Sequence, residues 1–454
     1  MKLRAVTLAA LALAAASAGA TVRGSLADAR VALRVGGWSL SQPALVLLER
    51  VARVRRPDAS AAAVAAAALE DHVLGVHARA SVDDAALFGD QAVALTPEAA
   101  AEASLDASLH AAWREPMDAA LGADGGTRFV VRRHPLARER LRELLGAGTT
   151  PRLDDRLDAT REAALRELVL VDWRIDDADA GHVTLHEVWT RLTLQERNAL
   201  YGGDADYAMH RAEELVRRAA IRHWVRANTG LDAADLAGLQ ALLADHARRI
   251  ALARREGAID GDHYHSVELE RLRAQVSDAD IRRWYDAHPD EFRRTERVRA
   301  RHVHCADEAR CEAASAALKR GLPFAEVARR WSDAPDAARG GELGWTDAER
   351  ARGDWLAQLA FPQPPGPPTG ALREPAGAAG EGGWQIVEVL ERVQGRHPAD
   401  SEAVRFGAGR AIARERAVAR FGELRARLLA ASEIELNPAL LGFDASALAA
   451  EGVR

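Results

Sequence analysis

The segment Arg339-Gly-Gly-Glu-Leu-Gly-Trp345 narrows most what this chain can fold into. Glycine takes positive φ without steric cost, and the Glu-Leu-Gly-Trp that follows alternates as a short strand does. The pair therefore marks a turn entering a strand. Two pieces precede it, Arg299-Ala-Arg-His-Val303 and Gly321-Leu-Pro-Phe-Ala-Glu-Val-Ala328, and Gly382-Gly-Trp-Gln-Ile-Val387 follows. Taken singly they say little, but in this order and spacing they delimit a small domain over Val298–Val393.

The chain has 454 residues, 48% hydrophobic and 28% charged, which describes a globular protein of two or three domains. Its start is different. Lys2 and Arg4 precede the apolar run Val6–Ala16, and Ala18-Gly19-Ala20 supplies small residues for cleavage. Residues 1–20 read as a secretory signal peptide, too short to span a bilayer. The absence of a Cys after that point argues against a lipid anchor, and no later run has the length of a membrane helix. The net charge is −6, and cleavage removes two more positive charges. An acidic chain is ill suited to nucleic acid, whose binding leans on basic surface. Lys2 and Lys319 are the only lysines. With so much Ala, that arginine bias looks like codon usage and points to no function.

Most of the rest has helical periodicity. Val31–Leu40, with Gly36-Gly37 inside it, reads as a short strand and turn, followed by helices at Gln42–Arg55 and Ala61–Ala80. Further helices are expected at Pro135–Leu145, Thr160–Val171, Leu185–Leu200, Tyr207–Asn228 and Asp232–Arg255, with a loop at Gly146–Asp155. Ser277 is placed as the N-cap of a helix carrying Ile281, Trp284 and Tyr285, because two acids follow it in the first turn. A long helix spans Ser401–Ala431, with Ile412, Phe421, Leu424 and Leu428 along its buried edge.

The ordered pieces over Val298–Val393 resemble the parvulin family of peptidyl-prolyl cis-trans isomerases. The strand-turn-helix opening, and the phrase Trp-Tyr-Asp-Ala-His-Pro-Asp-Glu-Phe within Asp280–Arg293, resemble SurA-like periplasmic chaperones. The fold class implied is α+β: a mostly helical SurA-like body with one small parvulin domain, a four-stranded antiparallel sheet plus helices. The boundaries expected are a signal peptide at 1–20, a helical chaperone-like region at 21–295, the isomerase-like domain at 296–393, and a C-terminal helix at 394–454 that packs on the body.

The same resemblance assigns site residues. Parvulins place two histidines beside a Cys or Asp on the floor of a proline cup walled by Met or Leu and Phe. The first histidine falls on His302, and the second falls on Gln385. The Cys or Asp position, two residues after Ser332, falls on Ala334. The pocket Phe falls on Trp355 or Leu356, with Phe361 nearby, and the Met position lies near Ala351 or Arg352. Trp345 is expected in the core or the pocket wall. His304 shares a strand face with His302 and is a substitute for the missing polar group. The implied function is an exported peptidyl-prolyl isomerase and folding factor for secreted or outer-membrane proteins, periplasmic, needing no cofactor. Its partners would be unfolded or extended polypeptides containing X-Pro bonds, with no nucleic acid and no membrane-spanning segment in the mature chain. The alternative is a non-catalytic holdase with a degenerate parvulin domain.

Other signals carry less. Asp176-Asp-Ala-Asp-Ala-Gly181 with Glu187 approaches a calcium loop, but Ala178 and Ala180 stand where oxygen ligands are needed, so an acidic turn before a helix is expected. The pairs His263/His265 and His302/His304 lack acidic or thiolate partners at ligand spacing, and no metal site is assigned. Cys305 and Cys311 do not form a Cys-x-x-Cys site. They are read as a local staple or as two free thiols ahead of a redox switch.

Overall fold

The computed structural model describes residues 21–23, 26–89, 95–122, 127–146, 157–259, 266–375 and 382–452. The leader at 1–20, the loop at 147–155 and the His263/His265 pair lie outside them. Two compact units result: Met1–Arg271 with Arg414–Arg454, and Leu272–Ala413. Among the described residues no helix is long and apolar enough to cross a membrane.

The larger unit is mostly helical. Ser41 and Ser60 accept hydrogen bonds from the backbone N–H of Ala44 and Ala63, starting helices Gln42–Arg55 and Ala61–Ser81 where the sequence places them. Val31–Val35 and Trp38–Ser41 form the expected hairpin, turning at Gly36 with φ +54°. The sequence does not announce the partners of that hairpin. Glu433–Leu436, at the far end of the chain, pairs antiparallel with Val31–Val35 and parallel with Thr21–Arg23. Ile434 and Leu436 are fully buried there in the same cluster as Leu33. Burial of each such side chain stabilises by about 1.5–3 kcal/mol, so packing outweighs the few ladder hydrogen bonds of so short a strand.

A second sheet joins Val130–Arg133, Val169–Arg174 and Ala180–Thr184. The helix expected over Thr160–Val171 therefore stops at Glu167. Val171 pairs with Val183, and both are buried against Ala212 and Val216, so tertiary burial overrides a periodicity that fits either state. The helix expected over Leu185–Leu200 is two, Leu185–Trp189 and Leu194–Tyr201, each started by its own capping box: Thr184 with Glu187, and Thr193 with Glu196. The acidic turn at Asp176 connects two strands. Asp176 Oδ1 accepts from the N–H of Ala178 and Asp179 at 2.8 and 2.7 Å. The Asp179 carboxylate is taken by His223, whose hydrogen bond holds the acid below its ordinary range, and by Arg226.

Helices Ala61–Ser81 and Ala233–Arg255 meet at Gly75, where an added Cβ would lie 2.4 Å from the Asp245 Cβ and 2.5 Å from its Cα. No rotamer change relieves a contact with backbone, so the axes themselves would have to part. The Asp245 carboxylate is 3.0 Å from His72 Nδ1 and would shift with its helix.

The smaller unit holds the Gly340-Gly341 turn. Helix α1 (Asp278–Ala287) starts at Ser277, which forms a capping box with Asp280. Strand β1 (Arg293–Cys305), helices α2 (Glu308–Lys319) and α3 (Phe324–Trp331), strand β2 (Glu342–Asp347), helix α4 (Trp355–Ala360), and strands β3 (Leu372–Arg373) and β4 (Trp384–Arg396) follow. The sheet order is β2-β1-β4-β3, antiparallel throughout, matching the four-stranded sheet expected. On one face Val303, Cys305 and Ile386 pack under α2 and α3. On the other, Val298, Ala300, Val387 and Val389 pack with Leu356, Leu359 and Ala360 of α4. Ile281 and Phe292 bury against Val404, Ala408 and Ile412, from the start of helix Glu402–Ala430.

The two cysteines are separate thiols, both fully buried between β1 and α2. A hydrogen bond to Cys305, reinforced by burial, pushes the Cys311 thiol far above its ordinary value, while the same bond lowers that of Cys305. Burial denies reagents access to either sulfur.

Two outcomes are expected. Gly75→Ala should lower unfolding stability by about 1–3 kcal/mol in a urea titration. Reduced native protein should show almost no reaction with a thiol reagent at neutral pH, and both thiols should react after denaturation.

Candidate active site

The site lies on the sheet face that carries Val298, Ala300 and Val387. Side chains alternate across a strand, so His302 shares the face of Val298 and Ala300. In the β1–β4 register His302 stands opposite Val387 and His304 opposite Gln385, which places Gln385 diagonal to His302. The diagonal is bridged: His302 Nδ1 lies 2.9 Å from Gln385 Oε1. Gln385 Nε2 in turn donates to Glu374 Oε2 at 3.4 Å. The resemblance thus brings its two polar positions into contact, with an amide where the second imidazole is expected.

The third position behaves differently. Ala334 donates its N–H to Ser332 Oγ at 3.3 Å and offers no polar side chain. The acid comes from Asp336, whose Oδ1 and Oδ2 lie 3.2 and 3.1 Å from His302 Nε2. His302, Asp336 and Gln385 are 7%, 9% and 5% exposed, so water is not a competing partner for them. Asp336 was missed because family spacing counts from Ser332. Counted back from Gly340-Gly341 it is the nearest carboxylate, and that is the signal the sequence held.

The Gly-Gly turn makes the arrangement possible. Gly341 adopts φ +74°, and a Cβ there would lie 2.0 Å from the His302 carbonyl oxygen. Without one, His302 N–H donates to the Gly341 carbonyl at 2.8 Å, and Gly341 N–H donates to the Asp336 carbonyl at 3.1 Å. Ser332 Oγ accepts from His304 N–H at 3.0 Å, so the segment 332–341 is fastened to β1 at both ends. The His304 ring lies against Gly383, where a Cβ would come within 2.3 Å of Nε2.

The apolar residues divide. Leu356 and Phe361 join Leu343 and Leu359 in the cluster built on Val298, Ala300, Val387 and Val389. All four are partly exposed and form a wall on the sheet face that also carries His302. Trp355, the first residue of α4, is half-buried and outside that cluster. Ala351 is buried and Arg352 exposed, so neither presents a long apolar side chain at the Met position. Trp345 is 37% exposed, with the Arg297 guanidinium 4.7 Å from its ring centroid. It lies outside the core because the edge strand β2 leaves that face uncovered.

Comparison with known proteins points at this unit. Residues 276–405 match the PPIC-type PPIASE domain family. The chaperone SurA of Nitrosospira multiformis is 40% identical over 83 residues, 18% of this chain and 17% of its own. The foldase protein PrsA of Bacillus subtilis is 30% identical over 87 residues, 19% of this chain and 28% of its own. The chain thus spans between 17% and 28% of the length of these curated relatives. Among solved structures, a PpiC-type isomerase domain is 29% identical, covers 23% of this chain and 97% of its own, and has a TM-score of 0.19. A SurA-like chaperone from Campylobacter jejuni is 19% identical, covers 62% of this chain and 97% of its own, and has a TM-score of 0.21. The parvulin resemblance read from the residues is met by the family match over 276–405.

Gly341→Ala tests the turn. A side chain at this φ and this close to backbone should destabilise the smaller unit by about 2–4 kcal/mol. It should be read as an earlier unfolding transition reported by amide exchange in β1 and β4.

Proposed function

We propose that the protein is an exported peptidyl-prolyl cis-trans isomerase and folding factor, periplasmic, acting on extended polypeptides that contain X-Pro bonds. The observation that carries this reading is the buried Asp336–His302–Gln385 chain beside a half-exposed apolar wall. The family match and the SurA and PrsA relatives support it.

Rotation about an X-Pro bond crosses a barrier of about 18–20 kcal/mol set by amide resonance. No bond is broken, so neither nucleophile nor metal is required. An apolar wall such as Leu343, Leu356 and Phe361 takes the pyrrolidine ring out of water and restrains it. The twisted amide has lost resonance and carries a more pyramidal, more basic nitrogen, so a surface favouring that form over the planar one accelerates rotation. A thousandfold acceleration needs only about 4 kcal/mol of such preference. The site is modest in just this way: both His302 nitrogens are engaged inside the protein, and the ring contributes a fixed polar floor.

A second reading is favoured by an observation in the larger unit. A hollow of about 710 Å³ opens there, lined by Val35, Trp38, Val73, Val76 and Leu428, with His72 and His77 beside them. Contiguous exposed apolar surface of this kind suits holding an unfolded chain. Together with an amide at Gln385 and no polar side chain at Ala334, it supports a holdase whose parvulin domain binds without catalysing.

A coupled-protease assay on a proline tetrapeptide separates the two. The expected result is acceleration by wild type and a loss of about tenfold or more in kcat/KM for His302→Ala, with suppression of client aggregation retained. No acceleration by wild type, with aggregation still suppressed, would assign the protein to the holdase reading.

A further inference from the structure

We infer that Asp336 is the positioning residue of the isomerase centre, replacing from a different place in the chain the acid that is missing at Ala334. The inference rests on the isomerase reading above. An ionised carboxylate only accepts hydrogen bonds, so the proton shared with His302 must sit on Nε2. Gln385 presents an acceptor too, its Oε1, to Nδ1, so Asp336 is the partner that calls for a proton on Nε2, while the two acceptors together fix the ring plane.

Three features make the carboxylate a built partner. It is 9% exposed and faces an imidazole that is 7% exposed, and a buried charge without such a partner is strongly disfavoured. Its backbone is fixed, since the Asp336 carbonyl accepts from the N–H of Arg339 at 2.9 Å and of Gly341 at 3.1 Å. Both ends of its loop are tied to β1, through Ser332 Oγ to His304 N–H and through the Gly341 carbonyl to His302 N–H. The loop therefore cannot shift relative to the ring without breaking β1 contacts. Both Asp336 carboxylate oxygens lie against His302 Nε2, so its route to a substrate runs through that ring.

The test uses the full chain, with Asp336→Ala and Asp336→Asn beside His302→Ala. Nitrogen-15 NMR of the histidine rings should show Nε2 of His302 protonated in wild type. Asp336→Asn keeps an oxygen that accepts from Nε2 and should preserve that pattern; Asp336→Ala should not. In the coupled-protease assay Asp336→Ala should lose about tenfold or more in kcat/KM, chiefly in kcat, with Asp336→Asn between it and wild type. An unchanged ring pattern in Asp336→Ala would overturn the inference. So would full activity in Asp336→Ala where His302→Ala has lost it. Failure of the isomerase reading is recognised separately: wild type itself would not accelerate the tetrapeptide, whereas the NMR comparison still reports whether Asp336 sets the His302 ring.

Discussion

The antiparallel pairing of Arg293–Cys305 with Trp384–Arg396 is the constraint on which the smaller unit depends. Its register sets His302 opposite Val387 and Gln385 one diagonal step away. A slip of one residue would turn His302 and Gln385 to the opposite face and carry Val303 and Ile386 out of the core under α2 and α3. Both faces of the sheet are buried, with an apolar cluster on each, so a slip would expose both. The ladder also absorbs irregularities, between Val389 and Glu391 and between Val393 and Gln394, without disturbing the residues opposite the site.

On this floor, geometry substitutes for residue identity. An amide stands where the resemblance expects an imidazole, and a carboxylate arrives two positions later than expected, yet His302 has a polar partner on each nitrogen. Low exposure explains why such a chain must close on itself: each buried polar atom left alone would cost about 1–3 kcal/mol. Glu374 completes it from the chain next to β4. Leu343, Leu356 and Phe361 remain half-exposed on the same sheet face, and under the proposed reading they are the surface offered to a proline ring.

Much of the fold was legible in particular residues. Ser277 caps its helix where the sequence places it, because a cap is a local hydrogen bond over three residues. The Gly340-Gly341 turn was equally plain, since only glycine fits φ values of +83° and +74°. The Val169–Arg174 strand and the Glu433–Leu436 strand were not. Val169–Arg174 pairs with its neighbour Ala180–Thr184, but its apolar spacing fits a helix as well as a strand; Glu433–Leu436 pairs with Val31–Val35 from the other end of the chain, which no local periodicity records.

The sequence by itself determined the helical body, the small antiparallel domain and the shared strand face of His302 and His304. Those follow from period, caps and glycine, which act within a few residues. Only the tertiary structure decided that Asp336 serves in place of Ala334, that His304 turns to Gly383, and that Trp345 remains outside the core. Each depends on how a loop or an edge strand is fastened to a distant strand, and that is fixed by packing and buried hydrogen bonds between segments far apart in the chain.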